Sequence, residues 1–253
     1  MSDVLTVQGL HAGYGAGDIL KGIDLALTAG TVLTIIGPNG SGKSTLVKTI
    51  AGLLPARQGD VALNGVSVKE LSPPKRVRAG LSYVPQEYNI FRNLTVLENL
   101  KIAREFMSAE RARNGKAISD ELIELFPELP SRFKALAGNL SGGQRQMLAF
   151  ACALTIWPQV LVLDEPSAGL SPKYMADIFD TVKKVNGRGV SVLMVEQNAI
   201  EALRISHQCI VMANGRVRLC SEADAVLGMD DLHSLYLGDA REASLVGGRM
   251  PAD

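Results

Sequence analysis

The stretch that most restricts the fold of this chain is GPNGSGKST at 37–45. From Gly37 to Ser44 it fits the spacing G-x-x-x-x-G-K-[ST]. It stands between an apolar β-branched run, VLTIIG (32–37), and the helix-forming TLVKTIAGLL that begins at Thr45. A strand that turns through glycines into a helix aims several backbone N–H groups at one spot, where the helix start adds positive potential. Gly37, Pro38, Asn39, Gly40, Ser41, Gly42 and Thr45 therefore read as a backbone cradle for phosphates. Lys43 reads as the group that reaches the outer phosphate oxygens, and Ser44 as a hydroxyl ligand for Mg²⁺. A glycine turn that matches by chance is the alternative, and both flanks argue against it.

The same runs point to the sheet behind the loop. VLTV (4–7), VLTIIG, VLVLD (160–164), VSVLMV (190–195) and CIVMA (209–213) are continuously apolar, as strands covered on both faces are, and helix-like segments at 43–51, 143–155 and 172–186 alternate with them. The expected class is α/β with a largely parallel sheet. GDVALNGVSV (59–68) predicts antiparallel strands around an Asn-Gly turn in an N-terminal β portion. Between Gln86 and Leu140 the texture changes. LTVLENLKIAREFMSAERAR and ISDELIELFPEL read as amphipathic helices with no strand between them, so a helical lobe at about 87–140 is expected, inserted in the sheet domain. A flexible linker is the alternative for AERARNGKA (109–117). The expectation is one domain over 1–238, within reach of a chain of 253 residues. The remaining 239–253 lack periodicity and read as a loose tail.

Charge and composition remove several classes. Lys plus Arg equal Asp plus Glu at 26 each, so no net field draws the chain to a polyanion, and no nucleic-acid partner is expected. No apolar run approaches the ~18 residues of a membrane helix, and MSDVLTVQGL lacks a signal-peptide pattern. Any membrane role is thus expected to pass through a partner. Cys152, Cys209 and Cys220 form no CxxC or Cys/His cluster and read as incidental thiols.

Two further motifs carry chemistry. VLVLDEP (160–166) sets Asp164 and Glu165 at a strand end, where Asp164 is a candidate to hold the metal and Glu165 to accept a proton from attacking water. NLSGGQRQMLA (139–149) opens a helix with Ser141, Gly142 and Gly143, a second anion-binding helix start with no hydrolytic side chains of its own. The alternative is an N-cap by Ser141 with glycines for tight packing. It explains the serine but not two glycines in a first turn, each costing ~1 kcal/mol.

The order phosphate loop, VPQ (84–86), LSGGQ (140–144), VLVLDEP resembles the ATP-binding subunits of ABC transporters, over roughly Val4 to Gly238. The resemblance implies a RecA-like P-loop NTPase core with an N-terminal antiparallel β subdomain and an inserted α-helical subdomain, using ATP and Mg²⁺. It implies a head-to-tail pair of ATPases in which Ser141, Gly142, Gly143 and Gln144 of one chain close over the γ-phosphate held by the other. Tyr14, in AGYG, would stack on adenine, with a plain turn tyrosine as the alternative. Gln86 would join the core to the helical lobe and sense Mg²⁺ and the attacking water.

Two positions depart from the family's common pattern. Ser171 stands where aspartate is usual, and Gln197, in VEQN (195–198), stands where many relatives carry histidine. Glutamine can donate to a γ-phosphate but takes up no proton near neutral pH. His11, His207 and His233 all lie outside that motif, so Glu165 is the candidate general base, with Lys43 and Gln197 beside it.

VEQN, ELFPEL, DEPSAGLSP and LYLG together resemble the LivF type of branched-chain amino-acid importers, whose relatives also serve amide and urea uptake. This implies a heterodimer with a second ABC ATPase subunit, a homodimer being the alternative. It also implies transmembrane permease subunits, an indirect link to a solute-binding protein, and a peripheral place on the cytoplasmic face of the inner membrane. EYNIFRNLTVLENL (87–100) would grip the permease, with Tyr88, Phe91 and Leu94 as contacts; Phe91 inside the helical lobe is an even alternative. The rival functions are a lipopolysaccharide-export ATPase and a soluble ABC ATPase outside transport.

Overall fold

The computed structural model describes residues 2–87, 89–105 and 115–229. Tyr88, His233, LYLG, the tail and most of AERARNGKA lie outside the described residues.

Six strands form the main sheet: β3 (Val32–Ile36), β6 (Leu81–Val84), β7 (Val160–Asp164), β8 (Ser191–Val195), β9 (Gln208–Ala213) and β10 (Arg216–Glu222). Their order is β10-β9-β3-β8-β7-β6, parallel throughout except for β10 at one edge. All five residues of β3, β7 and β8 are buried. Their apolar runs are continuous because the two faces meet different partners. Val160 and Val162 share a cluster with Leu46 and Ile50 of the helix α1 (Lys43–Ile50), whereas Leu161 and Leu163 share one with Leu148, Phe150 and Ile178.

A second sheet is antiparallel, with β1 (Asp3–Ala12), β2 (Leu20–Thr28), β4 (Gln58–Leu63) and β5 (Val66–Ser67) in the order β2-β1-β4-β5. VLTV falls inside β1, so it belongs to this sheet and not to the parallel one. The Asn-Gly turn is present, with Asn64 at φ 48 and Gly65 at φ 76, as a tight hairpin requires. Three strands gave no apolar run to read. β2 and β10 alternate between inward and outward positions, and β6 has four residues.

Between Gln86 and Leu140 the described residues hold helices, with one isolated bridge, Thr95–Leu136. α3 (Val96–Arg104) starts in a capping box: the Glu98 amide donates to Thr95 Oγ1 at 3.2 Å and the Thr95 amide to Glu98 Oε2 at 2.7 Å. α4 (Gly115–Leu125) follows, and α5 (Gly142–Leu154) packs on both α3 and β6, tying the lobe to the core.

The far end of α1 is clamped by Arg76, 3 % exposed, on α2 (Pro73–Arg78). Its guanidinium donates to the Thr49 and Ile50 carbonyls at 2.9 and 2.7 Å and to Leu71 and Lys69 at 3.1 and 2.8 Å. A cation at a helix C-terminus is favourable, and this one also satisfies carbonyls the helix leaves unpaired. Arg76→Met is expected to cost about 3 kcal/mol, read as a lower urea midpoint. Arg76→Lys should recover only part, because an ammonium lacks the planar fork.

Candidate nucleotide-binding and hydrolytic site

β3, β8, β7 and β6 stand side by side and parallel. Their carboxyl ends therefore deliver four loops to one edge of the sheet, where open α/β sheets bind ligands. These loops carry the phosphate-loop residues, Gln197, the Asp164–Glu165 pair and Gln86.

The phosphate loop has the conformation its glycines predict. Gly37 has φ 151, and a Cβ on it would lie 2.1 Å from the Met212 carbonyl oxygen, so no larger residue fits. Lys43, only 4 % exposed, donates from Nζ to the Gly37 and Pro38 carbonyls at 2.7 and 3.0 Å. Burial lowers its pKa, and the carboxylates of Glu165 and Asp164 oppose that shift. Ser41 Oγ is buried and, among the described residues, has no hydrogen-bond partner. A buried lysine that donates to carbonyls of its own loop and a buried hydroxyl without a partner among the described residues suit a loop built around an anion.

Next to it, Ser44 Oγ donates to Asp164 Oδ1 and Tyr83 Oη to Asp164 Oδ2, both at 3.1 Å. Burial pushes the Asp164 carboxyl up, and these two bonds pull it back. The Tyr83 phenol is pushed up by burial and by Asp164, so it remains a proton donor. The described residues hold no group of three or more His, Cys, Asp or Glu suited to a metal. Ser44 Oγ and Asp164 Oδ1, two oxygen donors 3.1 Å apart, suit an ion that takes oxygen ligands and completes its shell with phosphate and water, as Mg²⁺ does.

Glu165 closes the site. It is 7 % exposed, and its Oε2 accepts from Gln86 Nε2 at 3.1 Å and from Gln197 Nε2 at 2.7 Å. With Gly40, Lys43 and Ser44 these three residues line a cavity of about 360 Å³.

Gly37, Pro38, Ser41 and Asp164 adjoin these residues without lining the cavity, and Tyr14 and the stretch from Ser141 to Gln144 do not line it either. Tyr14 is 55 % exposed on a loop held by Arg57, whose guanidinium donates to Asp18 at 2.7 Å and also to the Gly15 carbonyl. Ser141 caps α5: its Oγ accepts from the Gln144 amide at 3.3 Å, and Gln144 Oε1 accepts from the Ser141 amide at 3.1 Å. Tight packing accounts for more of this motif than the sequence suggests. A Cβ on Gly143 would sit 2.2 Å from the Tyr174 ring, so packing within the chain requires that glycine. Gly142 is different: its nearest neighbour would be Leu170, 4.0 Å away, and packing leaves it unexplained.

Tyr83 is the site residue that sequence reasoning passed over. It stands one residue before the VPQ motif, but its contact with Asp164 depends on β6 and β7 being neighbours.

Fold and site together define a phosphate-loop nucleotide hydrolase with an inserted helical lobe. Within that class the chain belongs to the ABC transporter family, whose model, described as ABC transporter, matches residues 20–168. A probable branched-chain amino acid transport ATP-binding protein, LivF, of Archaeoglobus fulgidus is 42 % identical, covering 90 % of this chain and 96 % of that one. The high-affinity branched-chain amino acid transport ATP-binding protein BraG of Pseudomonas aeruginosa is 36 % identical, with 89 % and 95 % covered. A crystal structure of the ADP conformation of an ATP-binding cassette of an ABC transporter superposes with a TM-score of 0.81, at 28 % identity, covering 94 % of this chain and 100 % of that one. The chain is an ATP-binding, ATP-hydrolysing enzyme of this family.

Proposed function

We propose that this chain energises an importer of branched-chain amino acids or related amides and urea, as one half of a head-to-tail ATPase pair docked on membrane permeases. The observation that carries the hydrolytic part is Glu165 Oε2 held between Gln86 and Gln197 in the cavity beside Lys43. In the reaction a water oxygen forms a bond to the γ-phosphorus while its proton passes to Glu165, and the bond to the bridging oxygen breaks as ADP leaves. Lys43 turns from the loop carbonyls to the β/γ oxygens. Gln197 and Gln86 orient Glu165 and the water, and Tyr14 stacks on the adenine. Ser44 and Asp164, with Gln86, would hold Mg²⁺, which when bound neutralises charge on the phosphates.

Ser141, the N–H groups of Gly142 and Gly143, and Gln144 close over the companion's γ-phosphate. The open space beside Gly142 supports this, since a backbone left bare toward solvent permits close approach by another molecule. Ser171, at the N-cap of the helix Pro172–Gly187, is exposed and makes no side-chain cap bond. A companion chain can face it there without a charged contact from this side. The names and identities of the two relatives support transport of branched-chain amino acids.

Docking on the permease draws on a second groove, about 240 Å³, lined by Tyr83, Ile90, Phe91, Ile102 and Cys152. Phe91 is 56 % exposed and so does not sit inside the helical lobe; Leu94 is half-buried and does not line this groove. Among the described residues no helix is long and apolar enough to cross a membrane. We place the chain peripherally, on the cytoplasmic face, held by this groove against an amphipathic permease helix. Phe91→Asp is expected to abolish co-purification with membrane subunits from detergent extracts while ATP still binds. Wild-type protein that brings down no membrane protein would defeat the transport reading.

A further inference from the structure

Glu196 has no part in the chemistry above, yet it is 1 % exposed, and N–H and O–H donors surround its carboxylate. Oε1 accepts from the Ser167 amide at 2.9 Å. Oε2 accepts from Ser167 Oγ at 3.0 Å and from the Gln197 and Asn198 amides at 3.1 and 3.4 Å. Asn198 Nδ2 donates to Ser167 Oγ at 2.6 Å, closing the ring. Ser167 belongs to the loop that follows β7, and Gln197 and Asn198 to the loop that follows β8. Each loop carries one partner of the 2.7 Å contact between Gln197 Nε2 and Glu165 Oε2.

Glu165 needs such support. Its φ of 47 is a strained value for a residue with a side chain, and strain of this kind persists only where the surroundings over-determine it. On one side its amide donates to the Val195 carbonyl at 2.9 Å, and on the other its carbonyl accepts from Ala168 at 3.1 Å. The Ser167–Glu196 bonds lie between these two fixings.

We infer that Glu196 is a positioning residue for hydrolysis: its carboxylate staples the loop after β7 to the loop after β8 and so holds the Gln197 amide against Glu165. This rests on the reading of Glu165 as the acceptor of the water's proton. Burial raises the Glu196 pKa while the surrounding donors pull it down, and only a carboxylate accepts at both oxygens.

Glu196→Gln tests the staple with little change of shape. Its amide must point N–H bonds either at the Ser167 amide or at those of Gln197 and Asn198, donor against donor in both orientations. In the full chain with ATP and Mg²⁺, turnover is expected to fall at least about tenfold, as a poorly held proton acceptor should, with ATP affinity within about twofold. Glu196→Asp, which keeps both acceptor oxygens, should recover part of the rate. The double variant Glu196→Gln/Gln197→Ala should be no slower than the slower single one, because both act through one contact. A matched core variant, Ile178→Val or Ile178→Ala, chosen for an equal loss of urea midpoint, should keep its turnover. Turnover of Glu196→Gln equal to that of the matched core variant, or rate losses that simply multiply, would overturn the inference.

A readout independent of turnover is the Gln197 side-chain NH₂ resonance in ¹⁵N-labelled full chain. Glu196→Gln should move it to the position of a mobile, solvent-exposed amide, and an unmoved resonance counts against the staple. Glu165→Gln is measured alongside. If that variant still hydrolyses ATP, the role given to Glu165 is at fault, and the Gln197 resonance alone then decides the staple.

Discussion

Glu165→Gln is expected to lower ATP hydrolysis by about 10²–10⁴-fold while leaving ATP bound. Glutamine has the same shape, so the Gln86 and Gln197 amides still have an oxygen to meet where they now donate to Oε2 at 3.1 and 2.7 Å. What it lacks is the capacity to take a proton, and Gln197 cannot supply it. The triphosphate therefore persists, and with it the closed pair of chains. Phosphate release measures the first effect, and gel filtration with and without ATP the second. Hydrolysis at the wild-type rate would mean another base. Among the described residues no histidine lines this cavity, which predicts no inflection near pH 6.5 in this chain's own site.

Lys43→Ala should instead remove nucleotide binding, weakening ATP by about 10²-fold or more, as the loss of a charged hydrogen-bond donor to phosphate implies. The lysine is buried, its pKa is lowered by that burial, and its donors are directed to the Gly37 and Pro38 carbonyls of the loop itself. Such a cation is costly to keep unless an anion is to occupy the loop. Equilibrium titration with ATP and Mg²⁺ measures the effect, with thermal unfolding to confirm that the variant folds. An affinity within threefold of wild type would mean that the phosphates bind elsewhere.

Much of the site can be read without coordinates. Asn39, Gly40, Gly42, Lys43, Ser44 and Thr45 of the loop line one cavity with Glu165, Gln86 and Gln197, Asp164 joins it through its bond to Ser44, and each is accessible as a motif on a strand end. The exceptions are instructive. From sequence, Gly143 reads as part of an anion clamp in preference to a packing glycine, but Tyr174, far along the chain, demands it for packing. Phe91 had two equal places from its apolar character, and only packing exposes it. β2 and β10 are hard to read because half-exposed edge strands mix polar residues into the run that marks a buried one, and β6 because it has four residues.

The sequence by itself determined what is local: the turn at Gly37, the Asn64–Gly65 hairpin, the caps at Thr95 and Ser141, and the buried runs of the central strands. Backbone sterics and hydrogen bonds spanning three or four residues act within those windows and need no distant partner. Only the tertiary structure decided that Gln86 and Glu165, 79 residues apart, share a hydrogen bond, that Tyr83 reaches Asp164, and that Glu196 joins two loops through Ser167. These contacts follow from the order of strands in the sheet. That order is set by burying the apolar surface of the whole chain at once, a quantity no single stretch of residues contains.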